Sequence, residues 1–321
     1  MSINRRSLVR AAALCALLPT AHIARSQQWP SRPIRIVHGY DGGTNPDTLS
    51  RLLAPGLSER LGQPIVVEPK PGAAGRIAAK YVSAQPGDGH TLLMLTAGDA
   101  VVAALDPNVQ YKLLLDFSFV SSVIEFPFLF CVAAGSPIKS LSDLFAMARS
   151  RPGQVSYGTP GVGTTQSMAG ELLQKMAGVE LLHVPYRGNA FPDLLGGRVD
   201  FLIAAPSVST SLIQGGKIRA IGVTSSGAYP TLPDVAPVRS LVPGYEVNSW
   251  LGLGVPKSTP DAVVQRLSSS VQVVSNADAV RSAITSAGSV VAAGTSEAFR
   301  TRVEADVKKW SSFSGRIRLE G

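Results

Sequence analysis

Short apolar runs alternate with amphipathic stretches along most of the chain. IRIVHGY (34–40), PIVVE (64–68), TLLML (91–95), FLFCVAA (128–134), VSYGT (155–159), LLHVPY (181–186), DFLIAA (200–205) and IRAIGVT (218–224) are β-branched or apolar and bounded by glycine or proline, the pattern of strands. Their near-continuous apolarity predicts burial on both faces and therefore parallel pairing. Between them, Leu49, Leu52, Leu53, Leu57 and Leu61 fall on one helical face, as do Met168, Leu172 and Met176. Pro55 interrupts the first of these helices and predicts a kink. The fold class is α/β. At 321 residues the chain exceeds the usual size of one domain, so two are expected.

Two segments repeat one unit. IRIVHGYDGGTNPDTLSRLLAPGLSERLGQPIVVE runs strand, glycine loop, amphipathic helix, strand, and VSYGTPGVGTTQSMAGELLQKMAGVELLHVPY does the same 120 residues later. If each begins one α/β domain, both glycine loops lie beyond the carboxyl ends of parallel strands, where such sheets bind ligands. Two lobes facing across a cleft follow. Asn45, with Pro46 after it and Asp47 in the first turn, is a candidate helix cap, and Thr164 or Thr165 is the candidate for the second helix. The first-turn N–H groups lack intrahelical partners and suit a carboxylate, aided by the Thr44, Thr164 and Thr165 hydroxyls. Nucleotide phosphate is excluded: neither loop has glycine-x-glycine-x-x-glycine spacing, and no Gly-Lys-Ser/Thr follows. The structural alternative, a glycine turn that only connects, stays open for either loop alone.

The first thirty residues read separately. MSINRRSLVR is basic, AAALCALLPTA is apolar, and Ala24-Arg25-Ser26 offers small residues around a cleavable bond, so residues 1–26 are expected to be an export signal. Arg5-Arg6 before Ser7-Leu8 is close to a twin-arginine signal, with the general route as the other option. Removal takes away Arg5, Arg6, Arg10 and Arg25 and no acid, which lowers the net charge from +8 to +4. That mild, scattered charge, without interleaved stacking aromatics, argues against nucleic acid. The longest apolar run in the mature chain, FPFLFCVAA (126–134), is too short to span a membrane. Cys131 then stands alone as a small buried hydrophobe.

Enzyme chemistry has little to stand on. The mature chain holds His38, His90 and His183, no two spaced as a helical metal pair, and Gly-x-Ser-x-Gly is absent. Neither catalytic residues, a metal nor a cofactor is expected, and His183 reads as a hydrogen-bonded structural histidine.

In GGTNPDTLSRLLA, PIVVEPKPGAAG, QPGDGHTLLM, VSYGTPGVGTT, AGELLQ, HVPYRG, DLLGGRVD, GGKIRAIGVT and SWLGLGVPKSTPDAVVQRL, in that order, the mature chain resembles the Bug family, the periplasmic substrate-binding receptors of tripartite tricarboxylate transporters. The resemblance implies a bilobal type II periplasmic-binding-protein fold, two α/β domains around a ligand cleft, with lobe 1 from 27–125 plus 249–321 and lobe 2 from 126–248. It also implies a monomeric solute receptor for a small carboxylate, an organic acid or amino acid, held between the loops with bridging water and presented to membrane transporter subunits. A co-receptor for a membrane sensor, or a periplasmic enzyme acting on a carboxylate, are the alternatives. Carried over by position, the ligand-binding residues are Tyr40, Asp41, Gly42, Gly43, Thr44 and Asn45 in the first loop, Gly161, Gly163, Thr164, Thr165 and Gln166 in the second, and Arg187 and Gly188 on the second-lobe wall. Asp41 stands where relatives tend to carry a small residue or proline, which disfavours a bare carboxylate beside it and favours an amino or hydroxyl group. Ser167 stands where a histidine is common.

Overall fold

A computed structural model describes residues 29–313. The expected export signal at 1–26 lies outside the described residues. Eleven strands form two sheets. β1 (Ile34–His38), β2 (Ile65–Pro69), β3 (Thr91–Thr96), β4 (Phe117–Pro127), β10 (Asn248–Pro256) and β11 (Val290–Val291) make the first, in the order β11-β4-β10-β3-β1-β2. β5 (Leu129–Ala133), β6 (Ser156–Thr159), β7 (Leu182–Pro185), β8 (Phe201–Ala204) and β9 (Ile218–Val223) make the second, in the order β7-β6-β8-β5-β9. The helices are α1 (Asn45–Leu61), α2 (Arg76–Ser83), α3 (Ala97–Leu105), α4 (Leu113–Asp116), α5 (Leu141–Ser150), α6 (Thr165–Ala177), α7 (Phe191–Leu195), α8 (Pro206–Gln214), α9 (Asp261–Asn276), α10 (Asp278–Ser286) and α11 (Ser296–Ser311).

The two sheets repeat one topology. β2-β1-β3 and β7-β6-β8 are parallel trios, and each is followed by an antiparallel strand that has just arrived from the other sheet: β10 beside β3, β5 beside β8. That exchange is the bilobal type II arrangement, and it corrects the expectation of parallel strands throughout. The apolar runs are continuous because both faces are covered, not because every neighbour is parallel. Along β5, Phe130 and Val132 join one buried cluster while Leu129 and Cys131 join another on the opposite face. β1 divides in the same way, with Ile34 and Ile36 on one side and Val37 on the other.

The two crossings lie side by side. Asn248 pairs with Pro127, and the buried Thr224 fastens both strands: its hydroxyl accepts from Phe128 N at 2.8 Å and donates to Val247 O at 2.5 Å. Its backbone repeats the pairing, with Thr224 N donating to Phe128 O at 2.9 Å and Val247 N to Thr224 O at 3.0 Å. These four hydrogen bonds form a knot that joins the two crossings.

Helix α1 buries Leu49, Leu53, Leu57 and Leu61 as expected and runs as one helix through Pro55, ending on Gly62 at φ 74°. In α6, Met168 and Leu172 are buried, but Met176 in the last turn is 38% exposed and departs from the expected buried stripe.

Candidate functional site

Both glycine loops leave the carboxyl end of a first strand and enter a helix by the same path. In the first, Gly43 has φ +78°, Thr44 is the cap with φ −75° and ψ 165°, and the Thr44 hydroxyl and amide both donate to Asp41 O, at 2.7 and 3.4 Å. In the second, Gly163 has φ +86°, Thr164 is the cap with φ −77° and ψ 156°, and its hydroxyl and amide donate to Gly161 O at 2.7 and 3.4 Å. Glycine at 43 and 163 answers the positive φ. The first helix is therefore capped by Thr44 rather than Asn45, which occupies the first helical position with Pro46 second. Both residue types are good caps; the extended backbone of Thr44 decides between them, and its hydroxyl makes no bond to the helix's amides.

The third helical residue anchors each loop. Gly43 N donates to Asp47 Oδ2 at 3.0 Å, and Gly163 N donates to Ser167 Oγ at 3.1 Å. These two amides, expected as ligand donors, are thus consumed inside the loops. The first-turn amides without a partner among the described residues are those of Asn45, Asp47, Thr165 and Gln166. The Thr164 hydroxyl is also committed, because it accepts from Ser167 N at 3.2 Å while donating to Gly161 O. Asn45 is 9% exposed and its Nδ2 has no partner.

Asp47 is itself held firmly. Burial acts most strongly on its carboxyl and raises its proton affinity, but the Arg51 bond at 3.0 Å, the Gly43 amide and the Arg51 charge together bring it below the usual aspartate range. The buried His38 faces Asp47 Oδ1 through Nε2 at 3.2 Å. Desolvation dominates His38 and lowers its proton affinity despite Asp47, so the ring is neutral near pH 7 and donates Nε2–H.

A third helix start, not anticipated from the sequence, adjoins these two. α3 follows β3 directly, and a Cβ on Gly98 would lie 3.6 Å from Gly163 O and 3.6 Å from Thr164 Cα, so this turn of the first lobe touches the second lobe's loop. Its third residue, Asp99, accepts from Thr96 N at 2.7 Å. Burial, opposed by bonds from Thr96 and Tyr111, raises the Asp99 carboxyl to about 6. The signal for this element is LTAGDA, a strand end followed by a threonine cap with aspartate three residues on.

The PGAAG turn after β2 also reaches the site. Gly72, Ala73, Ala74 and Gly75 have φ of 134°, 47°, 51° and 93°, and each alanine costs about 1–2 kcal/mol there. Tyr40 bonds to Ala74 O and to the Thr96 hydroxyl, both at 3.4 Å. A Cβ on Gly39 would sit 2.3 Å from Gly75 Cα, so only glycine permits the approach. Burial, then the Asp99 charge, raises the Tyr40 phenol well above its ordinary value and keeps it a neutral donor.

Across the cleft, Arg187 and Gly188 follow β7 and are exposed. A Cβ on Gly188 would lie 3.9 Å from Asp41 Oδ2, which brings the second-lobe wall opposite the first loop. The two lobes meet again where Gly288 approaches Pro206 at the start of α8. Among the sequence-expected residues the structure brings Asp41 and Gly188 together across the lobes, while Gly163 and Thr164 are met by the Gly98 turn.

With that geometry in place, the model of the tripartite tricarboxylate transporter family receptor matches residues 49–319. The chain belongs to that family. A UPF0065 protein of Pseudomonas sp. strain P51 is 34% identical over 322 residues, covering 99% of this chain and 96% of its own. The solved structure of Rhodopseudomonas palustris Rpa4515 with adipate is 33% identical at a TM-score of 0.84, covering 88% of this chain and 96% of its own. MatC from the same organism, with bound malate, is 28% identical at a TM-score of 0.84, covering 88% and 99%. The resemblance drawn from the motifs, and the bilobal fold it implied, are borne out.

Other features of this family member are structural. His183 Nε2 bonds to the Thr159 hydroxyl at 2.7 Å and stacks on Tyr157 with centroids 4.8 Å apart. Cys131 is buried and free, with its thiol pushed up to about 12 by burial. A groove of about 420 Å³ lies behind the cleft, between α6, residues 244–248 and α11. Its Arg302 pairs with Glu125 at 2.8 Å and its Asp306 accepts from Trp250 Nε1 at 2.6 Å, so those polar groups are already answered.

Proposed function

We propose that the chain is a periplasmic solute receptor that closes its two lobes on a small carboxylate and presents the closed form to membrane transporter subunits. The observation that carries this is that each lobe brings a glycine loop to the other lobe, Asp41 of the first opposite Gly188 and Gly163 of the second against the Gly98 turn, in a member of this receptor family. The lobes are residues 27–125 with 249–321, and 126–248, hinged at the Thr224 knot. The first-turn amides of Asn45, Thr165 and Gln166 take the carboxylate, directly or through water, with the helix dipoles behind them. Tyr40, Gly42, Gly43 and Thr44 shape the first wall, and Gly161, Gly163 and Thr164 shape the second. Asp41, Arg187 and Gly188 border the opening between them. Bound ligand favours the closed state through contacts that only closure supplies. The adipate and malate bound by the solved relatives support a carboxylate as the ligand class. The protein acts as a binding receptor rather than an enzyme, functions as a monomer, and is exported by the signal in residues 1–26.

Mass spectrometry of small molecules released from the purified protein, followed by melts against mono-, di- and tricarboxylates and amino acids, tests this. A ligand at 100 times its Kd stabilises by about 2.7 kcal/mol. Recovery of an unchanged carboxylate with that stabilisation is expected. Turnover of a bound compound would overturn the receptor reading.

A further inference from the structure

Asp41 is the acid among the residues that border the cleft, and its side chain has no structural task. The loop's own bonds run to the backbone carbonyl of residue 41, from the Thr44 hydroxyl and amide. The second loop makes the same two bonds to the carbonyl of residue 161, at matching distances, with glycine in that position. Gly161 is at φ +134°, where glycine is favoured, and Asp41 is not at such a φ; in both loops the two bonds reach the backbone carbonyl and leave the side chain out. Among the described residues the Asp41 carboxylate makes no hydrogen bond and no ion pair, whereas Asp47 in the same loop is bound by Gly43, His38 and Arg51.

Its surroundings are equally bare. Gly42 and Gly43 on one side and Gly188 on the other bring no side chain to it. A Cβ built on Gly188 would stand 3.9 Å from Asp41 Oδ2, so the Gly188 backbone faces the exposed Asp41 carboxylate across the lobes. The nearby Arg187 is exposed and makes no ion pair with Asp41. An unanswered carboxylate in the wall of a closing cleft repels a ligand that carries only negative charge and attracts a cation.

We propose that Asp41 is a specificity-determining residue that pairs with the ammonium of the ligand, so that the solute is an amino-carboxylic acid rather than a simple organic acid. This rests on the receptor reading above and names its substrate class. The ligand's carboxylate is taken by the helix-start amides, where the unpartnered Asn45 Nδ2 adds a donor, and its ammonium by Asp41 from the first lobe as Gly188 closes over it.

Matched skeletons test the inference: aspartate, malate and succinate in one set, and 4-aminobutyrate, 4-hydroxybutyrate and butyrate in another, titrated calorimetrically into ligand-stripped mature protein. In at least one set the amino member should bind at least about tenfold tighter than its hydroxy and unsubstituted partners, a difference of about 1.4 kcal/mol. Asp41→Asn and Asp41→Gly should both fold, the second by reproducing the residue at 161, and should cut that preference to about threefold or less while carboxylate binding persists. A hydroxy or unsubstituted member that binds as tightly as its amino analogue in both sets would overturn the role of Asp41 and leave the receptor reading intact. A tenfold preference that survives in both variants would do the same. Failure of every carboxylate, including those in the release experiment, would overturn both.

Discussion

The loops at 41–47 and 161–167 share backbone path, positive-φ glycine, threonine cap and carbonyl acceptor, yet they are anchored by different chemistry. The first ends on a buried carboxylate, Asp47, shared by the Gly43 amide, neutral His38 and Arg51. The second ends on a hydroxyl, Ser167, which accepts from the Gly163 amide and donates to Thr164 O at 2.9 Å. The path is thus set by what the two loops have in common, while charge is a local choice. The third helix start extends the comparison: Asp99 occupies the same helical position as Asp47, but its partners Thr96 and Tyr111 are neutral, so one carboxyl sits below its ordinary range and the other rises to about 6. Burial raises both; at Asp47 the Arg51 bond and charge with the Gly43 amide outweigh it, and at Asp99 the bonds from Thr96 and Tyr111 do not.

Removing the anchors should expose that difference most strongly. Asp47→Ala leaves the buried His38 N–H and the Gly43 amide without an acceptor while the exposed Arg51 returns to water, for a loss of roughly 2–5 kcal/mol. Ser167→Ala orphans one neutral amide and should cost about 1–3 kcal/mol. Urea unfolding of both variants checks the order; equal losses would mean that charge adds nothing to the first anchor.

Next in size is a pH dependence at the third start. The folded Asp99 carboxyl titrates above its unfolded counterpart, so its favourable contribution is present at low pH and is lost as pH rises from about 4 through 6. Asp99→Asn does not titrate. Relative to wild type, the variant should gain up to about 3 kcal/mol between pH 4 and pH 8, read from unfolding free energies. His38 acts in the opposite sense in both proteins: its lowered proton affinity costs stability as pH falls below about 6.5, and this cancels in the difference.

Much of the fold was legible before these contacts were seen. IRIVHGY and VSYGT declare themselves as strands because each is apolar on both faces and stops at a glycine turn. β4 escaped notice because Ser118, Ser121 and Ser122 break its apolar run, and their hydroxyls are satisfied by Lys257 O, Gly294 O and Ala292 O, partners more than 130 residues away. Strand direction was illegible for the same reason: β5 and β10 are antiparallel only because each enters a sheet from the other lobe. At the site, the glycines and threonines could be read from spacing. The consumption of the Gly43 and Gly163 amides could not, because it depends on rotamers of residues four positions on. The approach of Gly98 to Gly163 needed both lobes in place.

The shared path can be broken at its glycines. Gly43→Val and Gly163→Val place β-branched residues at φ +78° and +86°, each at a cost of about 1–2 kcal/mol, and should abolish ligand-induced stabilisation while the protein still folds. Gly135→Ala, outside both loops, is the matched control, since a Cβ there meets nothing within 4 Å and its φ lies outside the left-handed region. Retained binding in both valine variants would return the loops to simple connections.

The smallest effect sharpens the comparison furthest. Thr164 Oγ1 serves two partners, donating to Gly161 O and accepting from Ser167 N, whereas Thr44 Oγ1 serves only Asp41 O. Both anchors accept from the glycine amide ahead of them, so the loops differ in whether the threonine hydroxyl also takes the anchor's own amide: Ser167 N is bonded and Asp47 N is not. Valine keeps the shape of threonine and removes the hydroxyl, so Thr164→Val should cost about 1–2 kcal/mol and Thr44→Val about 0.5–1 kcal/mol. Combining Asp47→Ser with Thr44→Val then asks whether the anchor dictates the cap. If it does, the threonine hydroxyl becomes worth more once serine stands at 47, and the double variant falls below the sum of its parts by a few tenths of a kcal/mol or more. Strict additivity would show that each loop's cap and anchor act independently.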